Sequence, residues 1–106
     1  MAELSEHPVA TLGPEEPEGS RTIVLCGELD AAGADDARAV LKEALRSRPQ
    51  RIRFEMADLS FMDSSGLAVL VLAANQVETV VLGHPSDLIR RVLDVTGLSE
   101  VFETEP

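Results

Sequence analysis

Four consecutive residues, Asp63-Ser64-Ser65-Gly66, precede an apolar stretch from Leu67 to Ala74 and offer the clearest chemistry in the chain. Asp and Ser are preferred N-cap residues, so this run predicts a helix that begins here. The first turn of a helix has unpaired backbone N–H groups and about half a positive charge, and both stabilise a phosphate. Ser64 is therefore a chemically sensible phosphate acceptor. The competing interpretation is that Ser64 only caps the helix, while Gly66 permits close packing.

A second group of polar residues, Gly27-Glu28-Leu29-Asp30, follows the β-branched and apolar run from Thr22 to Cys26. That run predicts a buried strand that ends at Gly27. In a parallel α/β sheet the loops that follow the strands gather at one edge, where ligands and partners usually bind. Asp30 and Ser64 would then be spatial neighbours. The alternative for Asp30 is a helix N-cap or a turn residue.

The elements that would position these residues alternate along the chain. The sequence predicts a first strand, a helix with Asp35 and Asp36 in its first turn and Pro49 beyond its end, and a second strand at Arg51–Met56. The helix after Asp63 follows, then a strand at Thr79–Leu82 and an amphipathic helix with Gly97 at its C-terminal end. This order predicts a single α/β domain with a largely parallel sheet.

Residues 1–20 form an acidic N-terminal segment, and residues 21–106 are assigned to the domain. The segment contains no Lys or Arg, and its glutamates carry half of the net charge. Val9–Leu12 could form an edge strand or belong to a frayed tail, and the stretch Gly13–Gly19 has strong loop signals.

Composition excludes several classes of partner. The chain has 106 residues and a formal net charge of −10, which disfavours binding to nucleic acids and to anionic membranes. A protein with a basic face is the expected partner. No signal sequence and no spanning apolar stretch is recognisable, so a cytoplasmic location is expected. The single cysteine, Cys26, lies in an apolar run and is expected to be a buried thiol.

Catalytic machinery is not recognisable in this sequence. His7 and His84 lie far apart and have no zinc-ligand spacing, and the phosphate-binding and dinucleotide-binding glycine loops are missing. The Asp-Ser-Ser-Gly run also lacks the frame of a hydrolase nucleophile elbow. We therefore expect neither an enzyme nor a metal or cofactor site.

Three segments in register resemble the STAS domains of bacterial anti-sigma factor antagonists: Gly27–Asp30, Asp58–Leu67 and Thr96–Leu98. The resemblance extends from about Arg21 to Phe102. It implies a mixed, mainly parallel sheet with helices packed mainly on one face, and a regulatory role. Asn75–Glu78 differs from the basic, glycine-rich loop that is usual in the family.

The resemblance also implies a switch. In this family the unphosphorylated antagonist binds an anti-sigma factor that is a serine kinase, which frees a sigma factor, and the kinase then phosphorylates the Ser after the Asp. Here that residue is Ser64, and the implied partner-binding residues are Asp30, Asp63, Ser64, Ser65 and Gly66. A cognate phosphatase and a monomer or weak dimer are expected. The alternative is an unphosphorylated structural STAS subunit of a larger complex, such as a bacterial lipid-transport ATPase.

Overall fold

Five strands and three helices make up the computed structural model, which describes residues 8–16 and 18–106. His7 and most of the first half of the acidic segment lie outside the described residues. The elements in chain order are β1 (Ala10–Glu16), β2 (Ser20–Leu29), α1 (Ala31–Leu45), β3 (Arg51–Met62), α2 (Ser64–Ala74), β4 (Thr79–Gly83), α3 (Asp87–Val95) and β5 (Glu103–Glu105).

The strands form one sheet in the order β1-β2-β3-β4-β5. Strand β1 is antiparallel to β2, and every other neighbouring pair is parallel. Each parallel pair is joined through one helix, and right-handed crossovers that all advance in the same direction leave their helices on the same face of the sheet. This architecture confirms the predicted mixed, mainly parallel α/β fold with helices on one face.

The core lies between the sheet and the helices. Alternate residues of the central strands face it, among them Ile23 and Leu25 of β2 and Ile52 and Phe54 of β3, all with no exposed surface. The helices contribute residues at helical spacing, such as Leu41 of α1, Leu70 of α2 and Ile89 and Leu93 of α3. Burying each large apolar side chain stabilises the fold by about 1.5–3 kcal/mol. The buried residues of β2 and β3 therefore fix the positions of the strand ends that lead into α1 and α2.

Strand β1 is an edge strand, with Ala10 opposite Leu25 and Glu16 opposite Ser20. The pairing shifts register between Leu12 and Glu15, where Pro14 lies, and proline is tolerated on edge strands and at bulges. The predicted loop at Gly13–Gly19 is therefore wrong for residues 13–16, which belong to the strand.

Two predicted boundaries around the first helix are also wrong. Strand β2 continues beyond Gly27 to Leu29, because Gly27 adopts a φ of +79° and the pairing with β3 shifts register there instead of ending. Helix α1 begins at Ala31 with Asp30 as its N-cap, so Asp35 and Asp36 lie beyond its first turn. The cap at Asp30 fixes the start of the helix earlier than the acidic pair suggested.

Strand β3 extends to Met62, past its predicted end at Met56. Between Val24 and Cys26 of β2 the opposite strand advances from Glu55 to Asp58, so β3 contains an extra residue that breaks the period of two. Strand β5 was not predicted. Gly97, with a φ of +76°, follows α3 as the sequence predicts. None of the helices in the described part of the chain is long and apolar enough to cross a membrane.

Candidate functional site

Helix α2 begins directly after β3, and Asp63 caps it. The Asp63 backbone is extended, with a φ of −111°, and its carboxylate accepts hydrogen bonds from the backbone N–H groups of Ser65 and Gly66 at 2.9 and 3.3 Å. These are two of the N–H groups that a helix start leaves without intrahelical partners. The interpretation of Ser64 as the helix cap is therefore wrong, because Asp63 is the N-cap.

Ser64 is the first residue of α2, and it is exposed. Within residues 8–16 and 18–106, its hydroxyl forms no hydrogen bond with another protein group. Ser65 is half-buried by comparison. The hydroxyl oxygen of Ser64 is therefore available to solvent at the positive end of a helix dipole.

Gly66 holds the start of α2 against the end of β2. A Cβ atom at Gly66 would lie 2.5 Å from the backbone oxygen of Leu29 and 2.6 Å from its Cγ, closer than real Cβ contacts. The close-packing interpretation of Gly66 is confirmed. Because the contact leaves no room for a side chain, it fixes where α2 begins and hence where Ser64 lies.

Helix α1 begins in the same way on the neighbouring strand. The Asp30 carboxylate accepts a hydrogen bond from the Gly33 N–H at 2.9 Å, and a Cβ at Gly33 would lie 2.5 Å from the backbone oxygen of Glu28. Leu29 pairs with Met62, so Asp30 and Asp63 each follow one member of the last residue pair between β2 and β3. The two strand-to-helix junctions are therefore adjacent at the carboxyl edge of the sheet. Asp30 is the N-cap of α1, which was the alternative interpretation of this residue.

A shallow acidic cleft of about 370 Å³ lies beside the start of α1. Its lining includes Glu28, Asp30 and Asp36, together with Ser60, whose hydroxyl donates to the Gly27 carbonyl at 2.9 Å. Ser60 was not predicted at this edge, because the extra residues in β3 change which side chains come together, whereas Asp36 lines the cleft from beyond the first turn of α1. Three carboxylates in an open cleft favour a basic group on a partner.

Other reactive residues lie apart from this edge. Cys26 is half-buried and its thiol donates to the Pro8 carbonyl at 3.0 Å, so the expectation of a buried thiol is only partly met. His84 contacts Glu55 near the end of β4. In the part of the chain that the structure describes, no three His, Cys, Asp or Glu residues are grouped as metal ligands.

Comparison with known protein families shows that residues 14–106 match the STAS domain. An anti-sigma-B factor antagonist of Listeria monocytogenes is 34% identical over 86 residues, which cover 76% of this chain and 75% of that protein. An anti-sigma F factor antagonist of Paenibacillus polymyxa is 30% identical over 93 residues, covering 83% and 80% of the two chains.

Solved structures are similar over nearly the whole chain. The anti-sigma factor antagonist SpoIIAA in its unphosphorylated form has a TM-score of 0.77 and 27% identity, and the match covers 92% of this chain and 88% of that one. The phosphorylated form of SpoIIAA from Bacillus has a TM-score of 0.70, also with 27% identity, and covers 92% and 91%. An anti-sigma factor antagonist from Mycobacterium paratuberculosis, with a TM-score of 0.80 over 97% and 91%, is 21% identical and shows the shared fold.

Proposed function

This chain belongs to the STAS domain family as an anti-sigma factor antagonist, and we propose that phosphorylation of Ser64 controls its binding to an anti-sigma factor. In this proposal the unmodified chain binds an anti-sigma factor with serine kinase activity and so releases a sigma factor. Phosphorylation of Ser64 by that kinase ends the binding. A cognate phosphatase restores the unmodified state, and all these partners are expected in the cytoplasm.

The observation that carries this proposal is the division of roles at the start of α2. Asp63 supplies the cap and Gly66 the close contact with Leu29, so the exposed hydroxyl of Ser64 has no structural task within the described chain. A phosphate on that hydroxyl would lie at the positive end of α2, where the helix dipole favours negative charge. The fold can therefore accept the phosphate with little rearrangement.

The proposed loss of affinity arises at the surface. A phosphoserine carries about −1.5 to −2 charges at neutral pH. The acidic cleft beside α1 favours a basic partner group, so the added charge would repel only those acidic groups of the partner that face the start of α2 itself, close to Asp30 and Asp63. The phosphate would also occupy space that the partner fills in the complex. Electrostatic repulsion and steric exclusion act in the same direction here.

Phosphorylation by the anti-sigma kinase that binds this chain tests the proposal. After incubation with this kinase and ATP, mass spectrometry of the intact protein and of its peptides should find one phosphate, on Ser64. The Ser64→Ala variant should take up none, and Ser65→Ala, the matched control one residue away, should still be modified. A kinase that binds the chain but leaves Ser64 unmodified would contradict the proposal and favour a structural STAS subunit.

A further inference from the structure

Strand β5 is attached to the sheet by few contacts. It has three residues, pairs with β4 alone among the described strands, and exposes all its side chains, while the preceding Phe102 is buried. The backbone N–H of His84 donates to the Glu105 carbonyl at 2.8 Å and closes the end of this pairing. A three-residue edge strand with one apolar anchor has little stability of its own.

A side chain of β3 provides the remaining contact. Arg53 lies on the face of the sheet opposite the helices, because its neighbours Ile52 and Phe54 point into the core. Its guanidinium forms ion pairs with the carboxylates of Glu105 and Glu55, the second at 3.1 Å. Glu55 also contacts the His84 imidazole at 2.7 Å. These groups connect β3, the end of β4 and β5.

Electrostatics and packing both hold Arg53 in this position. Burial acts to raise the pKa of Glu55, but hydrogen bonds from His84, Arg53 and the Ala57 N–H outweigh it, so that this pKa is lowered. The guanidinium also occupies the space above Gly83, where an added Cβ would overlap Arg53 Nη2. Because Gly83 has no side chain, the guanidinium of Arg53 can pass over it and contact Glu105.

We propose that β5 is a latched edge strand, held by the contact of Arg53 with Glu105 across Gly83, which opens locally and exposes the edge of β4. This inference concerns a different part of the sheet from Ser64 and does not depend on the phosphorylation proposal. Local opening of β5 would leave backbone groups of β4 without their partners in the sheet. The latch thus sets how often β5 separates from β4.

Native-state hydrogen exchange on the full chain tests the latch with two variants that break it in different ways. Arg53→Met removes the guanidinium, and Gly83→Ala keeps every charge but displaces the guanidinium with a methyl group. Both should make the amides of β5 and of His84 exchange about two- to fivefold faster, as expected for loss of a partly exposed ion-pair contact. Amides of α1 and β2 should keep their wild-type rates.

Arg51→Met is the matched control. Arg51 lies two residues earlier on the same face of β3, is exposed, and forms no ion pair with a described residue. Its removal should leave exchange in β5 at the wild-type rate. The proposal is overturned if β5 exchanges at the wild-type rate in Gly83→Ala, or if Arg51→Met accelerates β5 as much as Arg53→Met does.

Discussion

The starts of α1 and α2 have the same construction but differ in the two residues at their centre. Each has an Asp N-cap in extended conformation, Asp30 or Asp63, that accepts a hydrogen bond from the N–H of a Gly three residues later. Each Gly contacts a backbone oxygen at the end of β2. Between Asp and Gly, α1 has Ala31 and Ala32, whereas α2 has two serines.

This difference separates the Asp and Gly residues that build both helix starts from the serine hydroxyls that only α2 has. Helix α1 forms the same Asp-capped, Gly-packed start with no hydroxyl between Asp30 and Gly33, so this arrangement does not need a serine. The hydroxyls in α2 therefore require another explanation, and Ser64 is the exposed one of the pair. The comparison favours modification of Ser64 over a structural role, and it makes α1 a control for every substitution in α2.

The largest effect on stability is expected when the glycines are replaced. Gly66→Ala would place a methyl group against both the backbone oxygen and the side chain of Leu29, while Gly33→Ala meets the oxygen of Glu28 and only looser side-chain contacts. We expect Gly66→Ala to lower the free energy of unfolding by about 2 kcal/mol and Gly33→Ala by less. Urea unfolding measures both. Stabilisation by Gly66→Ala, as alanine gives inside an exposed helix, would contradict the close contact.

A smaller loss is expected when the caps are removed. Asp63→Ala and Asp30→Ala should each lower the free energy of unfolding by about 1 kcal/mol, because backbone N–H groups lose their acceptor. Asp63 accepts two such bonds and Asp30 one, so Asp63→Ala should cost more. Asn is as good a cap as Asp, and Asp63→Asn should recover most of the loss in the same unfolding measurement. A cost of Asp63→Asn equal to that of Asp63→Ala would show that the charge, and not the cap, matters.

The smallest change in stability is expected for substitutions of the residue that directly follows each Asp cap, Ala31 in α1 and Ser64 in α2. Ser64→Ala makes α2 resemble α1, and Ala31→Ser makes the reverse change; each should shift the free energy of unfolding by less than about 0.5 kcal/mol. Thermal and urea unfolding of the two variants check this. A loss of more than about 1 kcal/mol in Ser64→Ala alone would give the hydroxyl a structural role.

The sequence predicted the start of α2 and not that of α1, for a physical reason. Asp63 directly precedes a small-residue turn and an apolar stretch, so the N-cap and the helix are adjacent in the pattern. At α1 the acidic pair Asp35 and Asp36 has the composition typical of a first helical turn, although it lies beyond that turn. The true N-cap, Asp30, is not followed directly by an apolar stretch that would indicate a helix. The starts of α1 and α2 thus have the same construction, but only the sequence around α2 indicates where the helix begins.

Other features depend on contacts that no local pattern contains. Close packing at Gly66 was predicted, but its contact with Leu29 was not, because the first turn of α2 and the end of β2 come together only in the folded sheet. The end of β3 was missed because an extra residue changes which face each side chain occupies. Strand β5 is too short and too exposed to have a period, although the buried Phe102 beside it is a usable signal.

The central claim is that a phosphate on Ser64 weakens binding to the anti-sigma partner while the fold is retained. The most direct test is the dissociation constant of the complex for unmodified, phosphorylated, Ser64→Ala and Ser64→Asp protein, with Ser47→Asp at the other end of α1 as a matched charge control. Ser64→Ala and Ser47→Asp should bind as the unmodified chain does. Ser64→Asp should bind more weakly, and the phosphorylated chain about a hundredfold more weakly, which corresponds to about 2.7 kcal/mol. Equal affinities of the unmodified and phosphorylated chains would contradict the account.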